Sequence, residues 1–112
     1  MEEKKTEDHG PEEERKMQQL QLLEQNLQNL LLQKQAFQIE QRETQAALRE
    51  LEKSGDEVFK VIGQLMIKTD KDKMKKELEE KVKLIDLRIQ NMDKQEQSFS
   101  ERFQELQKDL LG

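Results

Sequence analysis

The sequence predicts a mainly α-helical protein, in which a long antiparallel coiled-coil hairpin of two helices is joined by a short β-hairpin. Two long segments without internal glycine or proline carry apolar residues at every third or fourth position. A short segment between them is rich in β-branched residues around one glycine. The 112 residues are 40% charged and only 32% hydrophobic, which is also typical of disordered chains. The regular apolar period decides in favour of helices.

Composition excludes several classes of protein. No apolar run approaches the ~18–20 residues that cross a bilayer. The start, Met1–Lys5, is followed by polar residues and not by the apolar stretch of a secretory signal. We therefore expect a cytoplasmic protein without membrane contact. The 25 acidic residues outnumber the 20 basic ones, which argues against a nucleic-acid partner.

The sequence predicts no catalytic, metal or cofactor site. The chain has no cysteine and one histidine, His9, so we expect no metal. It has no Gly-x-x-x-x-Gly-Lys loop for a nucleotide phosphate. Its carboxylates are spread over polar helix faces, which lack the burial that tunes a pKa for acid–base catalysis. We expect a protein that is not an enzyme and uses no cofactor.

A polar tail precedes one structured domain. We predict that residues 1–10 form a disordered acidic tail and that residues 11–112 form the domain. Pro11 suits the first position of a helix, because its missing N–H has no partner there. The acidic residues 12–14 suit the positive end of the helix dipole.

The first helix is predicted over residues 12–53. Ser54-Gly55 provides the stop, with the glycine in the left-handed cap conformation. Steps of three and four residues define an apolar seam with the 3.5-residue period of a coiled coil, although its middle is less apolar. The seam contains Leu20, Leu23, Leu27, Leu30, Lys34, Phe37, Gln41, Thr44, Leu48 and Leu51.

A β-hairpin is predicted over residues 57–69. Gly63-Gln64 separates two short apolar runs, and a glycine at the first central position suits a type II′ turn. This turn places Ile62 opposite Leu65 and, at the other end, Phe59 opposite Lys68. Both faces of the ribbon then carry apolar side chains, which are Val58, Phe59, Val61, Ile62, Leu65, Met66 and Ile67.

The second helix is predicted over residues 71–111. Thr69 begins a Ser/Thr-x-x-Asp/Glu sequence that ends at Asp72, the pattern of a helix-capping box. Glu96 is the one position that interrupts an otherwise apolar seam. This seam contains Leu78, Val82, Ile85, Ile89, Met92, Glu96, Phe99, Phe103, Leu106 and Leu110.

The two helices are expected to fold back on each other. A turn at Gly63 places seam residues opposite each other when their numbers add up to 126, as for Phe37 and Ile89. In this register Lys34 lies about one turn from Glu96. The two are compatible with an ion pair that fixes the register, or with two independent polar positions near solvent.

The predicted ribbon has more apolar side chains than one pair of helix ends covers. An isolated two-stranded hairpin is marginal in water, and its unpaired edges invite pairing with another chain. We therefore expect hairpins from several subunits to join in a shared β structure, from which the coiled coils project. The alternative is a monomer whose hairpin folds back on its own helices.

The order of these elements resembles a known family. A coiled-coil helix, the segment Asp56–Lys68 and a second helix of matching length resemble the β-type subunit of prefoldin in its archaeal form. The most specific part is the hairpin, with Val-aromatic-Lys before its glycine and Leu-x-Ile-Lys after it. The resemblance covers residues 17–111. A single hairpin separates the sequence from the α-type subunit, which has two.

The resemblance implies an ATP-independent molecular chaperone. Prefoldin is a hexamer of two α-type and four β-type subunits, with a β-barrel platform and six coiled-coil arms. The arm tips hold unfolded client proteins and deliver them to a group II chaperonin. By position, the seven apolar hairpin residues map to subunit assembly. The client-binding tips map to Met17, Leu20, Leu22, Leu23, Phe103, Leu106, Leu110 and Leu111.

The residues near the helix ends have the chemistry of an interaction site. Leu22 and Leu111 fall off the seam, and apolar surface outside the helix pair marks a binding surface. Met17 carries a flexible thioether suited to varied contacts. The alternative, that the end residues only complete the coiled coil, applies most to Leu20, Leu23 and Leu106 and least to Leu22 and Leu111.

Two other functions are compatible with long helices. A structural scaffold would bind one defined partner helix and would ignore unrelated unfolded proteins. A helical arm that binds nucleic acid is disfavoured by the acidic balance. The range of clients separates the scaffold from the chaperone.

Overall fold

The computed structural model describes residues 10–111. Two long helices flank one antiparallel hairpin, as the sequence predicts. The order of elements is α1 (Pro11–Lys53), β1 (Glu57–Ile62), β2 (Leu65–Asp70) and α2 (Lys71–Leu111). The predicted disorder of residues 1–10 concerns a segment of which only Gly10 lies within the described residues.

Contacts divide the chain into two units, which are described separately. The described part of the terminal unit comprises residues 10–33 and 92–111, and the hairpin unit comprises residues 34–91. Each unit contains a stretch of both helices, and the hairpin unit also contains both strands. Neither helix of this described region combines the length and apolar character that a membrane span needs.

Helix α1 begins as predicted but ends by a different mechanism. The Glu14 N–H donates to the Gly10 carbonyl at 3.2 Å, which leaves Pro11 at the first helical position. The predicted left-handed cap at Gly55 is wrong, because Gly63 alone has a positive φ among the described residues. Instead, the Ser54 N–H and hydroxyl both donate to the Leu51 carbonyl, at 3.1 and 2.7 Å. A serine side chain therefore satisfies the helix end.

Helix α2 is capped one residue later than the sequence pattern predicts. The Asp70 carboxylate accepts a hydrogen bond from the Lys73 N–H at 2.7 Å, the geometry of an N-cap. Thr69 pairs with Val58 in the ribbon instead, so the predicted capping role of Thr69 is wrong. Strand pairing extends to Asp70 and fixes the backbone of Thr69 in the sheet.

The terminal unit is held together along the predicted seams. All its seam residues are buried or half-buried, and Leu30 and Leu106 are the most completely buried. The Lys16 ammonium lies 3.9 Å from the Asp109 carboxylate. These two residue numbers add up to 125, one position from the predicted antiparallel register.

The hairpin unit follows the same register. Leu51, Ile85 and Thr44 are buried, and the Thr44 hydroxyl donates to the Glu40 carbonyl one turn earlier at 2.8 Å. That bond satisfies the one polar side chain buried in this part of the seam. The Arg88 guanidinium lies 5.4 Å from the centre of the Phe37 ring, a cation–π contact at the edge of the seam.

Candidate interaction surfaces

The ribbon, defined as β1 and β2 with their turn, has the predicted turn and register. Gly63 has a φ of 59° and Gln64 a negative φ, the signs of a type II′ turn. Ile62 lies opposite Leu65, and Phe59 opposite Lys68, as the sequence predicts. Gly63 adopts a backbone conformation that residues with a side chain disfavour. The two-residue turn then determines which residues of β1 and β2 lie opposite each other.

The ribbon exposes most of its apolar side chains. Side chains alternate between its two faces, and both faces carry large apolar groups. Val58 is half-buried near the helices. The six others are between 45% and 68% exposed, and they are Phe59, Val61, Ile62, Leu65, Met66 and Ile67. The alternative in which the ribbon shelters against its own helices is not the observed arrangement.

Polar contacts position the ribbon without covering it. The Lys71 N–H donates to the Asp56 carbonyl at 3.0 Å, which extends the ladder into the start of α2. The Lys60 ammonium lies 3.0 Å from the Glu77 carboxylate of α2. Because the sheet contains only β1 and β2, each strand keeps one unpaired edge within the described chain. The ribbon is thus held in place against α2, and both of its edges remain unpaired within the described chain.

An apolar groove lies where β1 meets the helices. Its volume is about 500 Å³, and its lining includes Leu51, Val58, Phe59, Met74 and Leu78. The groove continues the exposed apolar surface of the ribbon down to the seam. This continuity makes the ribbon and the groove one surface, with room for side chains of another molecule.

A surface ion pair closes the helix ends beside the ribbon. The Lys75 ammonium lies 3.2 Å from the Glu52 carboxylate. The hydrogen bond to Glu52, followed by the attraction of its charge, raises the pKa of Lys75 above its ordinary value. The Lys71 ammonium donates to the Glu52 and Ser54 carbonyls at 3.2 Å each. Lysines of α2 therefore neutralise the carboxyl end of α1, where the helix dipole is negative.

The predicted tip residues of the terminal unit fall into two groups. Met17 and Leu22 are 50% and 57% exposed, and Leu111 is 85% exposed. The other five lie on the seams: Leu106 is buried, and Leu20, Leu23, Phe103 and Leu110 are half-buried. The burial of Leu106 favours the alternative that this side chain completes the coiled coil. The exposed group is the part available to another molecule.

Several exposed apolar residues are not among the predicted tip or ribbon residues. Leu31 and Leu32, in the terminal unit, are 43% and 65% exposed. Ile39, Leu84 and Leu87 are exposed in the hairpin unit. All five fall outside the seam positions, so the same heptad assignment that identified Leu22 would have identified them. The apolar surface is therefore more extensive than the helix ends alone.

Comparison with known proteins gives one consistent result. A family model for the prefoldin subunit matches residues 14–111. The prefoldin subunit beta of Methanothrix thermoacetophila is 40% identical over 102 residues, which is 89% of this chain and 85% of that protein. The prefoldin subunit beta of Thermococcus onnurineus is 40% identical over 90 residues, 79% of this chain and 78% of that one.

A solved structure has the same fold. The crystal structure of the prefoldin beta subunit from Thermococcus strain KS-1 aligns with a TM-score of 0.82 and 34% sequence identity. The alignment covers 92% of each chain. It therefore includes both helices and the ribbon between them.

Proposed function

The chain belongs to the prefoldin family as a β-type subunit, and we propose that it holds non-native proteins, without ATP, at the exposed helix ends of a hexamer. In this proposal two α-type and four β-type subunits assemble through their ribbons. The complex prevents client aggregation and delivers clients to a group II chaperonin. Family membership supports a prefoldin chaperone subunit, and the finer steps are the proposal.

The exposed ribbon is the observation that carries the assembly step. Six large apolar side chains remain exposed on a two-stranded sheet with two open edges. Full burial of one such side chain contributes about 1.5–3 kcal/mol of stability. Ribbons that cover each other's apolar side chains would therefore stabilise an assembly strongly. This arrangement supports the proposal that subunits assemble through Val58, Phe59, Val61, Ile62, Leu65, Met66 and Ile67.

The exposed tip residues support the holding step. Met17, Leu22 and Leu111 present apolar surface outside the seam, and none of them is needed for the helix pairing. One such tip binds weakly, but several tips on one assembly bind jointly through their effective concentration. Weak and multiple contacts suit clients of unrelated sequence.

Light scattering of a denatured client, without nucleotide, tests this function in the complex with the α-type subunit. A triple variant, Met17→Ser, Leu22→Ser and Leu111→Ser, is expected to need several-fold more complex for the same suppression of aggregation. The matched control carries Ile39→Ser, Leu84→Ser and Leu87→Ser, which removes three exposed aliphatic side chains from the hairpin unit. We expect the control to keep full suppression.

Truncation gives an independent test. Removal of residues 1–23 and 106–112 should preserve assembly and weaken client capture. Wild-type complex that leaves aggregation of several unrelated clients unchanged would contradict the chaperone function. Capture that survives both the truncation and the triple variant would contradict the tip assignment.

A further inference from the structure

A shallow groove of about 190 Å³ lies beside the exposed tip residues of the terminal unit. We name it the Leu22 groove, and it is lined by Gln19, Leu22, Leu23, Asn26 and Arg102. The two leucines supply apolar surface. The polar groups around them are two primary amides and one guanidinium. The lining contains no carboxylate.

Arg102 gives the groove a charge opposite to that of its surroundings. The described part of the terminal unit contains five basic and nine acidic residues, so its net charge is negative. Within the groove, the guanidinium provides five N–H donors and no acceptor. Gln19 and Asn26 add amide donors, and neither side chain forms a hydrogen bond within residues 10–111. The groove is therefore apolar, positive and rich in donors.

The existing ion pair of Arg102 leaves room for a competing carboxylate. Its guanidinium lies 3.5 Å from the Glu105 carboxylate, and the two side chains are 53% and 70% exposed. Exposed pairs one turn apart on a helix are weak, because water and salt compete with them. Arg102 also lines a second groove of this unit, together with Lys16. The ion pair of Lys16 with Asp109 is longer than that of Arg102, at 3.9 Å.

We propose that the Leu22 groove binds client segments in which a large apolar side chain lies next to an aspartate or glutamate. The apolar side chain packs on Leu22 and Leu23, and the carboxylate accepts hydrogen bonds from Arg102. Charge complementarity favours an acidic residue beside the apolar side chain, because a lysine at that place would be repelled by the Arg102 guanidinium. The inference rests on the proposed holding function and names the client class.

The ionic strength distinguishes the effect of the groove on client binding from the effect of the unit's net negative charge. At 0.15 M ionic strength, charges more than about 8 Å apart are largely screened, so the more distant acidic residues contribute little, whereas Glu105, which contacts Arg102, still competes. A client carboxylate in contact with Arg102 lies well within that distance, so part of its attraction remains at this ionic strength. The preference for acidic apolar segments should therefore be measured at this ionic strength, where the groove dominates.

Fluorescence anisotropy with three short peptides tests the proposal on the complex with the α-type subunit. The peptides share one leucine-rich centre and are flanked by glutamate, glutamine or lysine. We expect the glutamate-flanked peptide to bind about fivefold more tightly than the glutamine-flanked one, as one partly exposed charged hydrogen bond provides. The lysine-flanked peptide should bind most weakly.

Substitution of Arg102 identifies the groove as the source of that preference. In Arg102→Gln the glutamate and glutamine peptides should bind equally. The matched control, Lys94→Gln, removes one positive charge from the same unit and from outside the groove, and it should keep the preference. A lysine-flanked peptide that binds as tightly as the glutamate-flanked one, or a preference that survives Arg102→Gln, overturns the proposal.

Different outcomes contradict the client class and the chaperone function. Equal binding of all three peptides, with aggregation still suppressed, overturns the client class and leaves the chaperone function intact. Absence of both peptide binding and aggregation suppression overturns the proposed function, and with it this inference.

Discussion

The seams of the two helices and the ribbon contain similar apolar residues, yet the structure buries the first and exposes the second. Ile85 in the seam of α2 is 4% exposed, whereas Ile67 in β2 is 45% exposed. The seam has a period close to that of the helix, so one partner helix from the same chain covers it. The ribbon has apolar groups on both faces and two open edges, and two helix ends cover only part of that surface.

This difference separates folding within the chain from association between chains. A seam residue meets its partner when the chain folds back on itself. In the proposed assembly, a ribbon residue meets its partner only when another polypeptide supplies strands and side chains. The same substitution should therefore have different consequences in the two regions.

Ile85→Asp should have the largest effect, because it places a charge in the seam of the hairpin unit. We expect a loss of about 4 kcal/mol in the free energy of unfolding, from lost apolar burial and a buried charge. Urea unfolding followed by circular dichroism measures it. The control is Leu84→Asp at the next position, which is 62% exposed. An equal loss in Leu84→Asp would remove the distinction between seam and surface.

Ile67→Asp should abolish assembly and leave the helices mostly intact. A carboxylate in the ribbon cannot be buried between subunits without a large desolvation cost, while the seams are untouched. Native mass spectrometry with the α-type subunit should show unassembled chains of nearly unchanged helix content. The control Leu87→Asp, also in the hairpin unit, should still assemble. Hexamers that persist with Ile67→Asp would place the interface elsewhere.

Gly63→Ala should weaken the ribbon, because its φ of 59° disfavours a side chain. The expected loss is about 1 kcal/mol, measured by thermal unfolding of the assembled complex. Gly55 provides the comparison, since it has no positive φ and no atom within 4 Å of an added Cβ. Gly55→Ala should leave stability unchanged or slightly raised. Equal effects at the two glycines would argue against the type II′ turn.

The ion pair between Lys75 and Glu52 should have the smallest effect. The pKa of Lys75 is raised in the folded chain, so its stabilisation is complete at neutral pH and is lost as the pH rises through that pKa. The two side chains are 45% and 60% exposed, and solvent screening at such exposure keeps the effect small. The difference in Tm between wild type and Glu52→Gln should shrink between pH 8 and pH 11. A difference that grows with pH would have the wrong sign.

Much of the fold was predictable because its signals are local and periodic. Alternating steps of three and four residues predicted both seams, and Gly63-Gln64 predicted the register of the ribbon. The helix ends were less predictable. Gly55 and Thr69 each match a capping pattern, but Ser54 and Asp70 form the observed caps. Several adjacent residues have the right chemistry for a cap, and the backbone conformation around the helix end determines which of them forms it.

The candidate site was predictable in part. Leu22 and Leu111 were identified as off-seam residues, whereas Leu31 and Leu32 were overlooked although the same rule applies to them. The Leu22 groove was overlooked as well, although the predicted register already places Arg102 of α2 close to Leu22 and Leu23. Whether clients bind at these residues stays a prediction until capture is measured.

The order of elements, the two seams and the ribbon turn follow from the sequence alone, since each depends on neighbours a few residues apart. Only the tertiary structure decides which apolar side chains remain exposed, because burial depends on what the other helix covers. It shows Leu106 buried and Leu111 exposed, five residues apart on one helix. It also brings Arg102 beside Leu22, a pairing of charge and apolar surface that only the folded helix pair creates.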